Sequence, residues 1–290
     1  AAVLALGITY PLLEGAASWL IVRSRLPGFS LRHGVDNAWM GTFGNVICLG
    51  AGAVPMQTYY LHLCGLPLGP GVGLMTLQYV FHKTTVLLYA TVLLLWHRSW
   101  LAAHTTGVLH YLPAAYAVVA GVIVGLVLLC ASPLVQQLAR WALGKLPQSE
   151  TWQARRERWQ TQLDTLSAES RHLLAEKRRC LALLAVHGVK LFLLFSIPYL
   201  CIRFMGLPCS LTFGQVQLLG ALMFFLSNAL PNVAGMGSIE TAFLLVFGCF
   251  FSRAQTMSIL MLYRIASYYW VTAVSAAGFF GAQRRAQRLV

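Results

Sequence analysis

Apolar runs follow one another along most of the chain, and their lengths and interruptions predict the elements. Three unbroken runs, 112–134, 181–205 and 257–280, are each long enough as helices to cross a hydrocarbon core of about 30 Å. Two more, 1–22 and 71–96, are only slightly more polar. Two further apolar stretches, 38–64 and 211–251, are broken at their centres. The first carries Gly44-Asn45 and then Gly50-Ala51-Gly52-Ala53-Val54-Pro55; the second carries Ser227-Asn228-Ala229-Leu230-Pro231-Asn232 and then Gly235-Met236-Gly237. Glycine, asparagine and proline at that density do not sustain one continuous helix.

Charge decides on which side each break lies. Nine of the 21 basic residues fall between Arg140 and Arg179, in the only long polar stretch, which the positive-inside rule places in the cytoplasm. The tail with Arg284, Arg285 and Arg288 belongs on the same side, as does the loop with Arg23, Arg25 and Arg32. The loop 97–111 holds only Arg98 and three histidines and reads as external. If every apolar stretch crossed, the three crossings between Arg23 and Arg140 would put two basic loops on opposite faces. Reading 38–64 as a re-entrant hairpin that enters and leaves from the cytoplasm restores the parity. By the same reckoning 211–251 begins and ends outside, and is a second hairpin entering from the opposite face.

The two hairpins also align without a gap. Ala51-Gly52, Met56-Gln57-Thr58, Tyr60-Leu61 and Gly65 lie over Ala234-Gly235, Ile239-Glu240-Thr241, Phe243-Leu244 and Gly248 at a constant offset of 183 (234 − 51), which Asn45 and Asn228 share. Chance similarity between glycine-rich membrane segments is the competing explanation. Joined to the opposed insertion, the alignment predicts an inverted repeat: each unit is a crossing, a hairpin and a crossing, with 112–134 connecting them. Transporters of that build hold their sites near the bilayer midplane, where broken helices expose their ends.

Composition agrees with the pattern. Residues are 58% hydrophobic and only 10% charged, where a soluble domain carries about a quarter charged. The net charge of +13 sits in particular loops and not in one patch, so membrane orientation accounts for it and nucleic acid is not an expected partner. The chain is apolar from Ala1 with no basic region ahead of it, so 1–22 reads as a crossing and not a signal peptide, and further sequence is expected before it. The seven cysteines show no C-x-x-C spacing; neither a metal site nor a disulfide framework is expected, Cys201 with Cys209 being the weak exception. No Walker loop, HExxH or nucleophile elbow appears, and the expectation is a protein that is not an enzyme and uses no cofactor.

Ionisable groups inside apolar sequence are the functional candidates, because burying one at mid-membrane costs at least about 2.5 kcal/mol. Of eight acidic residues only Glu14 and Glu240 lie there. Glu240 follows Pro231, Gly235 and Gly237 at the start of a half-helix, where free N–H groups and the helix dipole favour negative charge. A plain capping role is the alternative. Glu14 reads as structural, near a span end, and Arg203 and Lys190 are expected to snorkel toward the ends of their span. Arg264, after Tyr263, and Lys83, after Tyr79, lie too deep for that, so each needs a polar cavity, an acid or an anion. Arg264 with Glu240 is the expected pair, either as a ligand site or as an ion pair that only fixes packing. The candidate substrate-binding set is Glu240, Arg264, Gly235, Gly237, Pro231, Asn228, Asn45, Gly52, Gln57, Lys83 and Tyr263, while Tyr268, Tyr269 and Trp270 read as interfacial belt or packing. Across 151–179, Trp152, Trp159, Leu163, Leu166 and Leu173 recur at helical spacing among basic residues. This predicts an amphipathic helix on the anionic inner leaflet or against a partner helix.

The run Pro231-Asn232-Val233-Ala234-Gly235-Met236-Gly237-Ser238-Ile239-Glu240, followed by Tyr263-Arg264, resembles the P-x-P-G-G-x-G-x-x-E and Y-R signature of the lysylphosphatidylglycerol synthase transmembrane region, a flippase-like family. Gly44-Asn45 to Gly52, with Tyr60-Leu61, looks like that family's other glycine-rich segment. The resemblance spans nearly the whole chain. Val233 replaces the second proline and Ala234 the first glycine, and Gln57 stands where many relatives carry a charge, so headgroup preference does not carry over. The resemblance implies movement of a phospholipid or polyprenyl-linked lipid between leaflets, and it marks Pro231, Gly235, Gly237, Glu240 and Arg264 as matched positions. It also implies one further helix before Ala1. The aminoacyl-transferase domain of some relatives is not within these 290 residues.

The expected fold is thus an all-α polytopic membrane protein, an inverted repeat of transmembrane helices with two re-entrant broken-helix hairpins. A first half, 1–134, and a second half, 181–290, flank a basic cytoplasmic segment, 135–180. The expected function is a lipid flippase; a membrane-embedded headgroup transferase and a scaffold subunit recruiting a cytoplasmic enzyme are the alternatives. Expected partners are anionic membrane lipids, with a cytoplasmic or membrane protein through 151–179, and the expected location is the bacterial inner membrane.

Overall fold

A computed structural model describes residues 2–104, 112–145, 150–228 and 236–287, and among them there is no β-strand. Three helices are long and apolar enough to cross a membrane: α1 (Ala2–Val22), α4 (Leu68–Trp96) and α9 (Lys177–Phe204). Numbering follows the chain, with α2 (Leu31–Ile47), α3 (Ala53–Leu63), α5 (Arg98–Ala103), α6 (Leu112–Ala131), α7 (Pro133–Gly144), α8 (Glu150–Ala175), α10 (Phe213–Ser227), α11 (Ser238–Phe247), α12 (Arg253–Arg264) and α13 (Trp270–Ala286). A π-helical segment, Ile265–Tyr269, joins α12 to α13.

Local chemistry moves several boundaries. The expected connecting helix 112–134 is not one rod: the chain bends by 97° between Ala131 and Pro133. Ser132 caps α7 through the Val135 N–H, and Pro133 opens it, where a missing N–H costs nothing. The first hairpin begins at Leu31 and not at 38, because Ser30 and His33 form a reciprocal cap. Asp36 therefore lies inside α2. The last helix begins at Arg253 and not at 257, started by the Ser252 and Gln255 capping box.

Each broken apolar stretch is a helix pair folded back on itself, α2 with α3 and α10 with α11. The 11 residues of α3 and the 10 of α11 rise only about 15–17 Å, half of a hydrocarbon core. Between α2 and α3 the chain reverses through Leu49 and Gly50, both at positive φ. There α2 and α3 touch backbone to backbone, since a Cβ on Gly52 would lie 2.1 Å from the Gly44 carbonyl oxygen.

The mouths of the two pairs lie at opposite ends of the molecule. At one end, Asp36 of α2 meets Arg285 of α13, Arg25 meets Glu169 of α8 at 2.9 Å, and Gly73 at the start of α4 abuts Glu169. At the other end, His97 lies against Gly214 of α10, and Trp100 of α5 stacks on Phe250 just beyond α11. From its mouth, α2 climbs along α13, Asp36 level with Arg285 and Phe43 against Phe279. From the other end, α10 descends along α4, Gln217 bonded to Tyr89 and Phe224 against His82. Each pair thus packs along a helix of the other half. The offset of 183 carries α2 onto α10 and α3 onto α11 to within a few residues.

The apolar face of α8 is turned inward. Leu163 and Leu173 are buried, the Ser167 hydroxyl donates to Gln136 Oε1 of α7 at 2.6 Å, and the Ser170 hydroxyl donates to the Cys130 carbonyl of α6 at 2.7 Å. All seven cysteines are free thiols, Cys201 and Cys209 included.

Candidate functional site

Glu240 and Arg264 meet. Gly237 stands just before α11 with φ +92°, a conformation suited to glycine, and its N–H donates to Glu240 Oε2 at 2.7 Å. The other carboxylate oxygen, Oε1, lies 2.7 Å from Arg264 Nε. One carboxylate therefore ties the start of the short helix α11 to the last helix of the same half. The arginine is 3% exposed, with its guanidinium 4.2 Å from the centre of the Tyr268 ring. It is the last residue before the π-helical segment, a distortion that occurs often at functional sites. The Ser267 hydroxyl donates to the Tyr263 carbonyl at 2.7 Å and so satisfies an acceptor within the widened turn.

At the far edge of the same break, Lys83 of α4 donates to the Asn228 side-chain carbonyl at the end of α10. Asn228 is held in turn by donating to the Phe224 carbonyl at 2.7 Å. Lys83 also lies 5.1 Å from the centre of the Tyr79 ring. Among the described residues no carboxylate lies within ion-pair reach of Lys83. In the first half, Gln57 is buried in α3 against Gly41, and Gly52 is the close-contact residue of the α2–α3 turn. Asn45 contributes its backbone carbonyl to that turn, accepting from Gly50 N–H at 2.7 Å. Tyr263 is buried and stacked on Phe243 with 5.7 Å between ring centres. Pro231 and Gly235 lie outside the described residues. Among the described residues no cluster of His, Cys, Asp and Glu is arranged to hold a metal ion.

Compared with known families, residues 1–275 match the lysylphosphatidylglycerol synthase TM region. The chain belongs to this family. Comparisons with curated proteins and with solved structures gave no match. Membership of the lysylphosphatidylglycerol synthase TM family makes the chain an integral membrane protein related to lipid modification or transport. The match takes in Glu14, Lys83, Lys190, Glu240 and Arg264 and ends before Arg285.

Within this family member a second polar cluster lies where a snorkelling lysine and a structural glutamate were expected. Lys190 does not snorkel: its side chain is 0% exposed and ion-paired with Glu14, in the middle of α1. The reason is energetic, because two opposite charges too deep to reach water stabilise each other. Gln78 of α4 donates to Glu14 Oε1 at 2.6 Å, the Ser18 hydroxyl donates to Gln78 at 3.0 Å, and Asn37 donates to Ser18 at 3.2 Å. Lys190 also stands over the Tyr10 ring at 4.6 Å. Beside the pair lie two buried histidines, His82 and His187, with ring centres 5.5 Å apart. The signal available in sequence was the pairing demand itself: a lysine and a glutamate in two different apolar runs, each lacking a local partner.

Proposed function

We propose that the protein moves an anionic lipid, a phospholipid or a polyprenyl-linked lipid, between the leaflets of the bacterial inner membrane, without covalent chemistry. The observation that carries the reading is Lys83. It is an intramembrane ammonium whose side-chain partner is a neutral amide, and it lies at the edge of a glycine-rich break. Lys190 and Arg264 each have a carboxylate, so the charge left for a phosphate-bearing headgroup is at Lys83. The Asn228 carbonyl is a replaceable partner, because a phosphate oxygen can take its place as acceptor from Lys83 without leaving a charge unpaired.

The paired helices support alternating exposure. Two short helix pairs with mouths at opposite ends, each packed along the other half, suit an inverted repeat that opens a central site to one face and then to the other. Glu240 and Arg264 then serve as the joint that keeps α11 in register with the last helix. The test is reconstitution in liposomes with fluorescent anionic lipids. Wild type is expected to equilibrate them across the bilayer, and Lys83→Met to slow this about tenfold or more, as loss of a charge-assisted headgroup contact does. No movement of any labelled anionic lipid would sink the reading.

A further inference from the structure

We infer that His187 is a proton-binding site whose occupancy rearranges the Lys190–Glu14 tie between the two halves and makes lipid movement proton-driven; this rests on the transport reading above.

The cluster is built by three helices. Tyr10 and Glu14 come from α1, Gln78 and His82 from α4, His187 and Lys190 from α9. His187 is 0% exposed, and among the described residues neither of its ring nitrogens has a hydrogen-bond partner; His82 Nδ1 also has none. A buried imidazole ordinarily rests its N–H on an acceptor, and an orphaned one marks a group that changes partner or charge. The carboxylate beside His187 is Glu14, already engaged by Lys190 and Gln78.

The charges facing these groups are few. Lys190 and Glu14 act on His187; Lys190, His187 and Lys83 act on His82. Tyr10 faces both Lys190 and Glu14, and Tyr263 of α12 faces Tyr10. From α10 the neighbour is the Phe224 ring, 6.2 Å from His82. Among the described residues no charge of α8, α10 or the helix 253–286 acts on Glu14, His82, His187 or Lys190.

The step is a single proton transfer. A proton from water adds to a free ring nitrogen of His187, one helical turn before Lys190, and the imidazolium donates to the Glu14 oxygen that Lys190 holds. Lys190 then shares that oxygen with a second cation on its own helix, and repulsion between the imidazolium and the ammonium rearranges the contact of α9 with α1. The cluster changes from neutral to one positive charge, which an arriving anionic headgroup offsets. Proton and anion therefore favour each other's binding, reciprocally.

The experiment follows fluorescent phosphatidylglycerol in liposomes holding the chain, with a trapped pH dye, with and without an imposed pH gradient. Wild type is expected to move the lipid about fivefold faster or more under the gradient, with proton uptake in step. His187→Gln, and His187→Phe as a second variant of similar bulk, are expected to keep the ungraded rate and lose the response. A wild-type rate indifferent to the gradient, or a His187→Gln rate that still responds, overturns the inference. If wild type moves no labelled lipid, the transport reading falls separately, and acid–base titration of the purified protein decides the proton site. One proton fewer bound by His187→Gln keeps it; equal uptake overturns it.

Discussion

Among single residues, the Glu240–Arg264 pair was legible in the chain because both ends were visible: a carboxylate just after a glycine-rich break and a guanidinium too deep to reach water. Lys190 showed in the sequence only a demand for some partner, and Asp36 showed nothing, since Glu14 and Arg285, the groups they meet, lie far away along the chain. Whether Glu240–Arg264 works or only packs is separable by experiment. Arg264→Met is expected to leave Glu240 its Gly237 contact, and Glu240→Gln to remove the negative charge facing a buried guanidinium, each at a cost of about 1–3 kcal/mol. The double variant is expected to recover much of that stability without recovering lipid movement, read by thermal melting beside the liposome rate. Full recovery of both would make the pair a packing device. The Asp36 pair is lopsided in burial, 4% against 38% side-chain exposure. Arg285→Met therefore strands a carboxylate whose remaining contact is the Tyr60 hydroxyl at 3.4 Å, whereas Asp36→Asn releases an arginine already half in water. The first is expected to cost about 3 kcal/mol, and the second under about 1 kcal/mol, in melting experiments.

Elements were readable where composition breaks abruptly. Both folded-back pairs stood out because glycine, asparagine and proline interrupt apolar runs, and their caps are local. The bend between α6 and α7 was missed because Ser132-Pro133 reads as the end of an apolar run; only the cap geometry reveals a new helix leaving at 97°. The π-helical segment has no sequence mark at all. Close approach, by contrast, gives a testable statement about one pair. Gly52→Ala puts a methyl 2.1 Å from the Gly44 carbonyl and so forces α2 and α3 apart. It is expected to lower stability by about 1–3 kcal/mol, with lipid movement falling alongside the melting temperature.

For the whole molecule, the positive-inside reading gathered three basic segments on one face, and the ion pairs Arg25–Glu169 and Arg285–Asp36 bring those same segments together at one end. That outcome needed only charge counting, whereas the contact between halves could not be foreseen: Gly7 of α1 is pressed on the last helix so closely that a Cβ there would lie 1.9 Å from the Ala266 carbonyl oxygen. Ala266 belongs to the wide turn after Arg264, and such a turn holds one residue more than an ordinary one. Removing that surplus would let the helix run through this point as ordinary α-helix, with α12 and α13 close to their present register but without the widened turn on which Gly7 is seated. A chain lacking Ile265 is therefore expected to keep the Arg285–Asp36 tie and melt within a few degrees of wild type, yet to lose the widened seat for Gly7 and with it lipid movement. The last helix is in this sense a thread cut with a deliberate offset, and the first helix is the nut seated on it.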